Sequence, residues 1–380
     1  MARLIKTLFK LVIVVVLMFV LLVAVLWLRA FKPADTETVA VTCAGSAPVY
    51  GGDSLLKVLS YNVQYMASKE YIFFYDIDQT NAERVAEVER AGKTLADKPE
   101  LKQIKWTIEE VANIIEAEQP DVVMLQEINT GADSRTHFYD QIEALTKRLG
   151  KAEYPCRADA TYWQAEYILH PSILGAVDMR LLTLSRYRMT SSTRHQLPRP
   201  ETSAIERPFY FQRAILESRL AHANGSEVAV LNTHFEAWGA GTGVMQRQVS
   251  RTVELLSDLD AEDVPWVLGG DLNLLPPDNQ LQRTRIRLAQ TGTYDEEPAI
   301  RPLYDQYGAI PSREDLLGDN AAMWYTHMPN DPTVSVPDRT IDYVFYSGQW
   351  QLESSSVLHG DTWEVSDHLP VIGTFSLRTK

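Results

Sequence analysis

The sequence predicts an α/β fold of two packed sheets with helices on their outer faces, on two observations. Apolar, β-branched runs of strand length recur from Leu56 to Leu377, some separated by helix-period segments and others not. Helix-flanked strands and directly paired strands in one chain suit two sheets covered by helices. The second observation is a series of short polar signatures in fixed order: Asn62 in LSYNVQ, Glu127 in VVMLQEI, His234 in VLNTHFEAW, Asp271 and Asn273 in WVLGGDLNLLP, and Asp367-His368 in VSDHLPV. The first four end an apolar run or directly follow one, and side chains at strand ends share an open, rigid sheet edge.

The chain opens differently. Leu11–Leu28 is an unbroken apolar run of 18 residues, roughly 27 Å as a helix against a bilayer core of ~30 Å. It is longer than a signal-peptide core and no small-residue cleavage site abuts it, so a retained single-pass anchor is expected. Arg3, Lys6 and Lys10 precede the run, and Arg29 and Lys32 follow it. That balance places the N-terminus inside, which in a bacterium means an inner-membrane anchor with the remaining chain periplasmic.

Residues 33–52, PADTETVAVTCAGSAPVYGG, are small, polar and bounded by Pro and Gly, and read as a flexible linker of ~25 Å reach. The expected organisation is an anchor over 1–32, a linker over 33–52 and one catalytic domain over 53–380, since Asn62 and His368 must meet in one site. Two cysteines are too few for a disulfide scaffold or a zinc site. An oxidising compartment would permit one bridge, but Cys43 lies in the expected linker and Cys156 far along the domain.

Within the domain a strand runs to Asn62, followed by helical patterns over Asn81–Leu95 and Trp106–Glu118 and a strand into Glu127. A helix is expected near Ser134–Gly150, then strands at Met179–Tyr187, Ala214–Leu220 and Glu227–His234. A helix at Val244–Leu259 precedes the strand into Asp271. The end is strand-like at Arg339–Ser347, Gln351–Leu358 and Leu369–Leu377. The aromatic run YIFFYD at 71–76 reads as core packing in preference to a lipid-touching loop. Ala91-Gly92-Lys93-Thr94 mimics the end of a phosphate loop, but Glu87 stands where its first glycine belongs.

The signatures contain carboxylates, amides and two histidines without cysteine, which suits a hard divalent cation and acid–base chemistry. Glu127 sits in an otherwise apolar stretch, where a charge must be paired, metal-bound or neutralised. Asp271 and Asn273 fall on one side of a strand end, a carboxylate for a metal or its water and an amide for an oxyanion; a turn is the plain alternative. An unperturbed histidine titrates near neutrality and can take a proton from water; His368 needs an orienting partner for this, for which Asp342 in RTIDYVFYS is the candidate. His234, with Asn232 two residues before it, is either a satisfied strand-end histidine or a donor to a phosphoryl oxygen.

The set SYN, LQE, NTH, GDLN, IDYVF and SDHLP resembles the endonuclease/exonuclease/phosphatase superfamily over roughly Leu55–Leu377. The resemblance implies a four-layer α/β sandwich and a Mg²⁺-dependent phosphoester hydrolase, with Mn²⁺ as a possible substitute. By family role, Asn62, Glu127, Asp271 and Asp367 would serve the metal. His368 would be the general base oriented by Asp342, and His234, Asp271 and Asn273 would act on the water and the phosphoryl oxygens. Asn232 and Arg186, the latter in Ser185-Arg186-Tyr187, are expected to bind substrate. Arg188 replaces the proline that commonly follows that tripeptide, and the segment 66–104 is an insertion.

From Asp53 onward there are 31 Lys and Arg against 48 Asp and Glu, a net charge of −17. That is a poor match for a nucleic-acid backbone. The expected activity is therefore a membrane-anchored, monomeric phosphodiesterase acting on a lipid headgroup or small phosphoester. An anchored nuclease and a catalytically silent binding module are the alternatives.

Overall fold

Two seven-stranded mixed sheets face each other in the computed structural model, which describes residues 2–51, 55–150, 152–277, 294 and 299–378. One sheet runs β1 (Thr36–Val39), β9 (Met189–Gln196), β10 (Ala214–Ala221), β11 (Glu227–His234), β12 (Trp266–Asp271), β14 (Asp342–Tyr346), β13 (Gly308–Ile310). The other runs β15 (Trp350–Val357), β16 (Val371–Leu377), β3 (Leu56–Asn62), β6 (Val122–Asn129), β8 (Gly175–Ser185), β7 (Cys156–Ile168), β2 (Val41–Cys43). A small ribbon, β4 (Tyr71–Ile72) with β5 (Thr94–Leu95), lies in the 66–104 insertion.

The runs that predicted strands are the sheet centres. Inward side chains of β3, β6, β11, β12 and β14, among them Val58, Met124, Val230, Val267 and Val344, form the layer between the sheets. The outward side chains are apolar too, so each sheet needs a helical cover. α3 (Leu101–Glu118) places Ile104, Ile108, Val111, Ala112 and Ile115 on one stripe against Leu59, Val123 and Leu125. α4 (Gln141–Leu149), capped by Asp140, adds Ile142 and Leu145. On the other side α5 (Val244–Ala261) sets Val249, Leu256 and Leu259 against Leu231, Leu268 and Phe345. Helix, sheet, sheet, helix is the four-layer sandwich expected. α2 (Ala82–Arg90) starts at the Asn81 cap. The aromatic run packs inward as read only in its first half, with Tyr71, Ile72 and Phe73 buried, Phe74 half-buried and Tyr75 41% exposed.

The linker expectation is corrected. β1 pairs with β9 from Thr36↔His195 to Val39↔Ser192, and β2 pairs with β7 from Val41↔Ala158 to Cys43↔Cys156. One segment thus closes an edge of each sheet, and the sulfurs of Cys43 and Cys156 are bonded. Paired backbone outweighs a loop-like composition here. β7 and β9 were also not anticipated. Preceding all of this, α1 (Ala2–Arg29) contains the 27-residue stretch Arg3–Arg29, whose apolar 18-residue window has mean hydropathy 3.5, long and apolar enough to cross a membrane.

Candidate active site

β3 and β6 run parallel in one sheet, and β11 and β12 run parallel in the other. Their C-terminal ends therefore carry Asn62, Glu127, His234 and Asp271 to one rim. β14 is antiparallel to β12 with Asp271 opposite Asp342, so the start of β14 joins the same rim. β16 is antiparallel to β3, which brings the preceding Asp367-His368 there as well. Gly269 and Gly270 make the meeting possible. A Cβ on Gly270 would lie 2.0 Å from the Thr233 carbonyl oxygen, and one on Gly269 would press Met124 and Ser60 of the facing sheet.

These side chains surround a cleft of about 210 Å³. His368 Nδ1 lies 3.0 and 2.9 Å from the two oxygens of Asp342. Its Nε2 faces inward, 3.4 Å from Asn62 Nδ2 and 3.6 Å from Asp271 Oδ2. Asn62 Nδ2 also donates to Asp271 at 3.0 Å and to Glu127 at 3.3 Å. His234 Nε2 is 3.2 Å from Asp271 Oδ2 and 3.2 Å from Asn273 Nδ2, while Asn273 N donates to Asp271 at 2.9 Å. Asp367 accepts from Gln64 Nε2 at 3.0 Å.

The backbone is strained where the side chains are aimed. Gln64, Tyr65, Glu127 and Asn273 all have left-handed φ, from 40° to 57°. Glu127 sits in a bulge, because the β6–β8 register slips between Leu125 and Ile128. The bulge turns its carboxylate into the cleft.

Burial sets the electrostatics. Burial and then Asp367 raise Glu127, and burial with the neighbouring Asp342 pushes Asp271 up to about 7. Burial, then Arg213 and His368, hold His234 well below its ordinary value, so it is neutral. Burial also opposes charge on His368, yet Asp342, Asp271 and Asp367 together hold it well above the usual range. Asp76, Glu127, Asp271 and Asp367 thus line one cleft in which Arg135 and Arg339 are already tied to Asp133 and Asp338. A hard divalent cation fits this surplus of negative oxygen. The Gln64 Oε1 atom, buried without a partner beside Asp367, is a further oxygen donor for one. Ligand-type atoms of Asp271, Asp342 and His368 lie within 4.8 Å of one another, as do those of His327, Asp367 and His368. The first group is accounted for by the His368–Asp342 hydrogen bonds.

Three expected roles change. Asn62 Oδ1 accepts from the backbone N of Gln64 at 3.0 Å, which turns its NH₂ toward the carboxylates. Its amide thus donates to Asp271 and Glu127, and its oxygen is turned away from them. Asn232 is wholly buried, bonded to Leu125 O, Leu182 O and Gln126 Nε2, and ties the two sheets together instead of meeting substrate. Arg186 lies at the opposite rim, because β8 runs antiparallel to β6 with Ser185 beside Val122; there it pairs with Glu153.

Besides Gln64, two further cleft residues with a part to play escaped sequence reasoning. Arg213 has its guanidinium over the rings of Phe211 and Tyr162, 4.3 and 5.2 Å from their centroids. Its Nε and Nη1 atoms are buried with no hydrogen-bond partner. The signal was available: a cation directly before the buried run AILE. The His327 ring lies 4.5 Å from that of His368 and has no strand context to mark it.

The family model described as "Endonuclease/Exonuclease/phosphatase family" matches residues 107–368. The chain is similar in structure to an endonuclease/exonuclease/phosphatase from Beutenbergia cavernae, at 20% identity and TM-score 0.52, covering 85% of this chain and 72% of that one. It is also similar to ANGEL2, described as a 2′,3′-cyclic phosphatase, at 15% identity and TM-score 0.50, covering 89% and 98%. The human Nocturnin catalytic domain aligns at 16% identity and TM-score 0.49, covering 90% and 97%. At these identities the likeness speaks for the fold alone. No curated protein matches. The family match spans the strand ends and loops that supply Glu127, His234, Asp271 and His368, and the chain belongs to the endonuclease/exonuclease/phosphatase family.

Proposed function

We propose that this chain is a divalent-metal-dependent phosphodiesterase, held at a membrane by α1 and acting on a lipid headgroup or a small phosphoester. The observation that carries the reading is the His368–Asp342 pair facing Asp271 across a cleft of buried carboxylates. Glu127 and Asp367, with the Gln64 amide oxygen, would hold the ion, Mg²⁺ or Mn²⁺ by the hardness of these donors. When bound, it would polarise the phosphoryl group and offset the carboxylate field that holds His368 charged.

The chain's own residues supply the rest. Asp342 fixes the His368 ring so that Nε2 takes a proton from the attacking water as its oxygen bonds to phosphorus and the P–O bond to the leaving alkoxide breaks, the alkoxide then taking up a proton. Asp271 and Asn273 position that water and one phosphoryl oxygen. The neutral His234 and the unpaired Arg213 guanidinium meet the charge that develops on the other oxygens. Acidity of the domain and the anchor favour a lipid or small-molecule ester over nucleic acid.

His368→Ala and Glu127→Ala should each lower kcat on bis-p-nitrophenyl phosphate by about 10³-fold or more while leaving the urea midpoint near that of the parent. EDTA should abolish turnover and Mg²⁺ restore it. Near-parental activity in either variant would overturn the assignment. Nicking of plasmid DNA faster than any lipid or small ester would replace the substrate class by a nuclease.

A further inference from the structure

We propose that the rim of the catalytic cleft is a lipid-facing surface, so that the domain rests active side down on the bilayer and takes a phospholipid-class ester from it. The inference rests on the reading of α1 as an anchor and adds an orientation that the anchor alone does not supply. The first observation is where the chain leaves α1. Only residues 30–35 separate α1 from β1, a reach of about 20 Å at most. β1 is antiparallel to β9, β9 to β10 and β10 to β11, so β1 begins at the rim where β11 ends in His234. The anchor therefore enters at the active edge of the sandwich. Contacts agree with this. Trp27 Nε1 donates to Ala204 O at 2.9 Å, in the loop between β9 and β10, and Arg29 pairs with Glu166 near the end of β7 at 2.7 Å.

The second observation is the apolar surface of the same rim. Phe138, Tyr167, Leu169, Leu174, Ile205 and Trp238 are between 38% and 64% exposed. All six lie at or beyond the active-edge ends of β6, β7, β9 or β11. Leu169 and Leu174 sit at the tip of the β7–β8 hairpin. Trp163, opposite Met179, is level with Asn129 at the end of β6, and the hairpin continues to the Ile168↔Gly175 pair. Those five further residues carry the tip ~16 Å beyond the sheet. Exposed apolar side chains gathered on one edge mark an interaction surface. A bilayer is the occupant that the short connection to α1 brings there. Trp238 and Phe211 belong to the cleft wall as well, 5.9 Å apart between centroids, so an apolar path leads from the rim to Arg213.

The test uses the full chain with its disulfide closed, in nanodiscs containing nitroxide-labelled phosphatidylcholine. An environment-sensitive nitrobenzoxadiazole label is attached in turn at Leu174→Cys, Ile205→Cys, Ala223→Cys on the opposite rim, and Leu17→Cys within α1. The expected result is emission at least halved at residues 174, 205 and 17, with none of this at 223. Quenching at 17 but not at 174 or 205 would overturn the docked orientation and leave the anchor intact. No quenching at 17 would overturn the anchor and this proposal together. The triple variant Leu169→Glu, Leu174→Glu, Ile205→Glu should keep its turnover of bis-p-nitrophenyl phosphate and lose about tenfold on phosphatidylcholine, phosphatidylglycerol or sphingomyelin vesicles. Equal loss on both substrates would refute the docking role. A parent enzyme active on the soluble diester and inert on every vesicle would refute the lipid substrate while sparing the phosphodiesterase assignment.

Discussion

The residues of this cleft are legible in the sequence to the extent that their side chains end apolar runs. Glu127, His234 and Asp271 stand out because a polar group after a buried strand needs a reason, and the structure brings all three into one cleft with His368, Asp271 lying 3.6 Å from His368 and Glu127 3.8 Å from His234. Arg213 and His327 come from loop-side positions, where a polar residue is ordinary, and only the folded cleft shows them unpaired or stacked. Lys69 is a third such residue, and its energetics are testable. It is buried beside the cleft wall, where its ammonium donates to Met328 O. Burial lowers its pKa from 10.5 to about 8, against the pull of Asp367 and Asp76. Below pH 8 the amine is charged in both folded and unfolded chains, and the folded state carries the full burial penalty. Between about 8 and 10.5 the unfolded chain holds a proton that the folded one has released, so stability from this group rises with pH. Relative to Lys69→Met, the parent should therefore gain about 3 kcal/mol in urea unfolding free energy across that interval. A constant gap between the two proteins would show that Lys69 titrates normally.

At the scale of elements, the strands that could be read were those whose composition matches a buried, pleated surface. β7, CRADATYWQAEYI, alternates in burial over its first half, but its inward positions there are Cys and Ala and its outward ones Arg, Asp and Thr. β9, MTSSTRHQ, is nearly all polar. Residues of low intrinsic strand preference become strands there because neighbours offer ladder partners. β1 and β2 are the extreme case, since a loop-like segment is drawn into two sheet edges at once. The misplacement of Arg186 has a different origin: the motif marks a strand, and only the topology tells which end of it faces the cleft. The two glycines before Asp271 were legible and have unequal duties. A methyl group on Gly270 meets Thr233 backbone, which cannot yield without breaking the β11–β12 ladder. On Gly269 the nearest atom is the mobile end of Met124, 2.5 Å away. Gly270→Ala should therefore destabilise by about 3 kcal/mol or more and shift Asp271, with Gly269→Ala nearer 1–2. Urea midpoints and activity of the two variants decide it, and equal losses would contradict the steric account.

On the scale of the whole molecule, and under the anchoring proposed for α1, the segment between α1 and the sheets is the joint that would fix how the domain sits. A 20-residue flexible tether would let the sandwich turn freely over the membrane. Pairing of β1 with β9 and of β2 with β7, closed by Cys43–Cys156, leaves only residues 30–35 between α1 and the sheets. The disulfide also spans 113 residues of sequence, and it ties the three-residue edge strand β2 to its neighbour β7. Closing a loop of that length removes unfolded-chain freedom worth about 4–5 kcal/mol in the entropic description, with 2–5 typical when such a bond is removed. The Cys43→Ala, Cys156→Ala double variant should unfold at lower urea by an amount in that range. Its amides over residues 36–43 should exchange faster than in the parent, because β2 contributes only three residue pairs to its ladder. Turnover of a soluble diester should survive under native conditions, since no cleft residue comes from this segment. Turnover of vesicle lipid should fall, because the longer tether no longer holds the rim against the bilayer. Unchanged exchange at 36–43 together with unchanged lipid turnover would show that strand pairing alone makes the joint rigid.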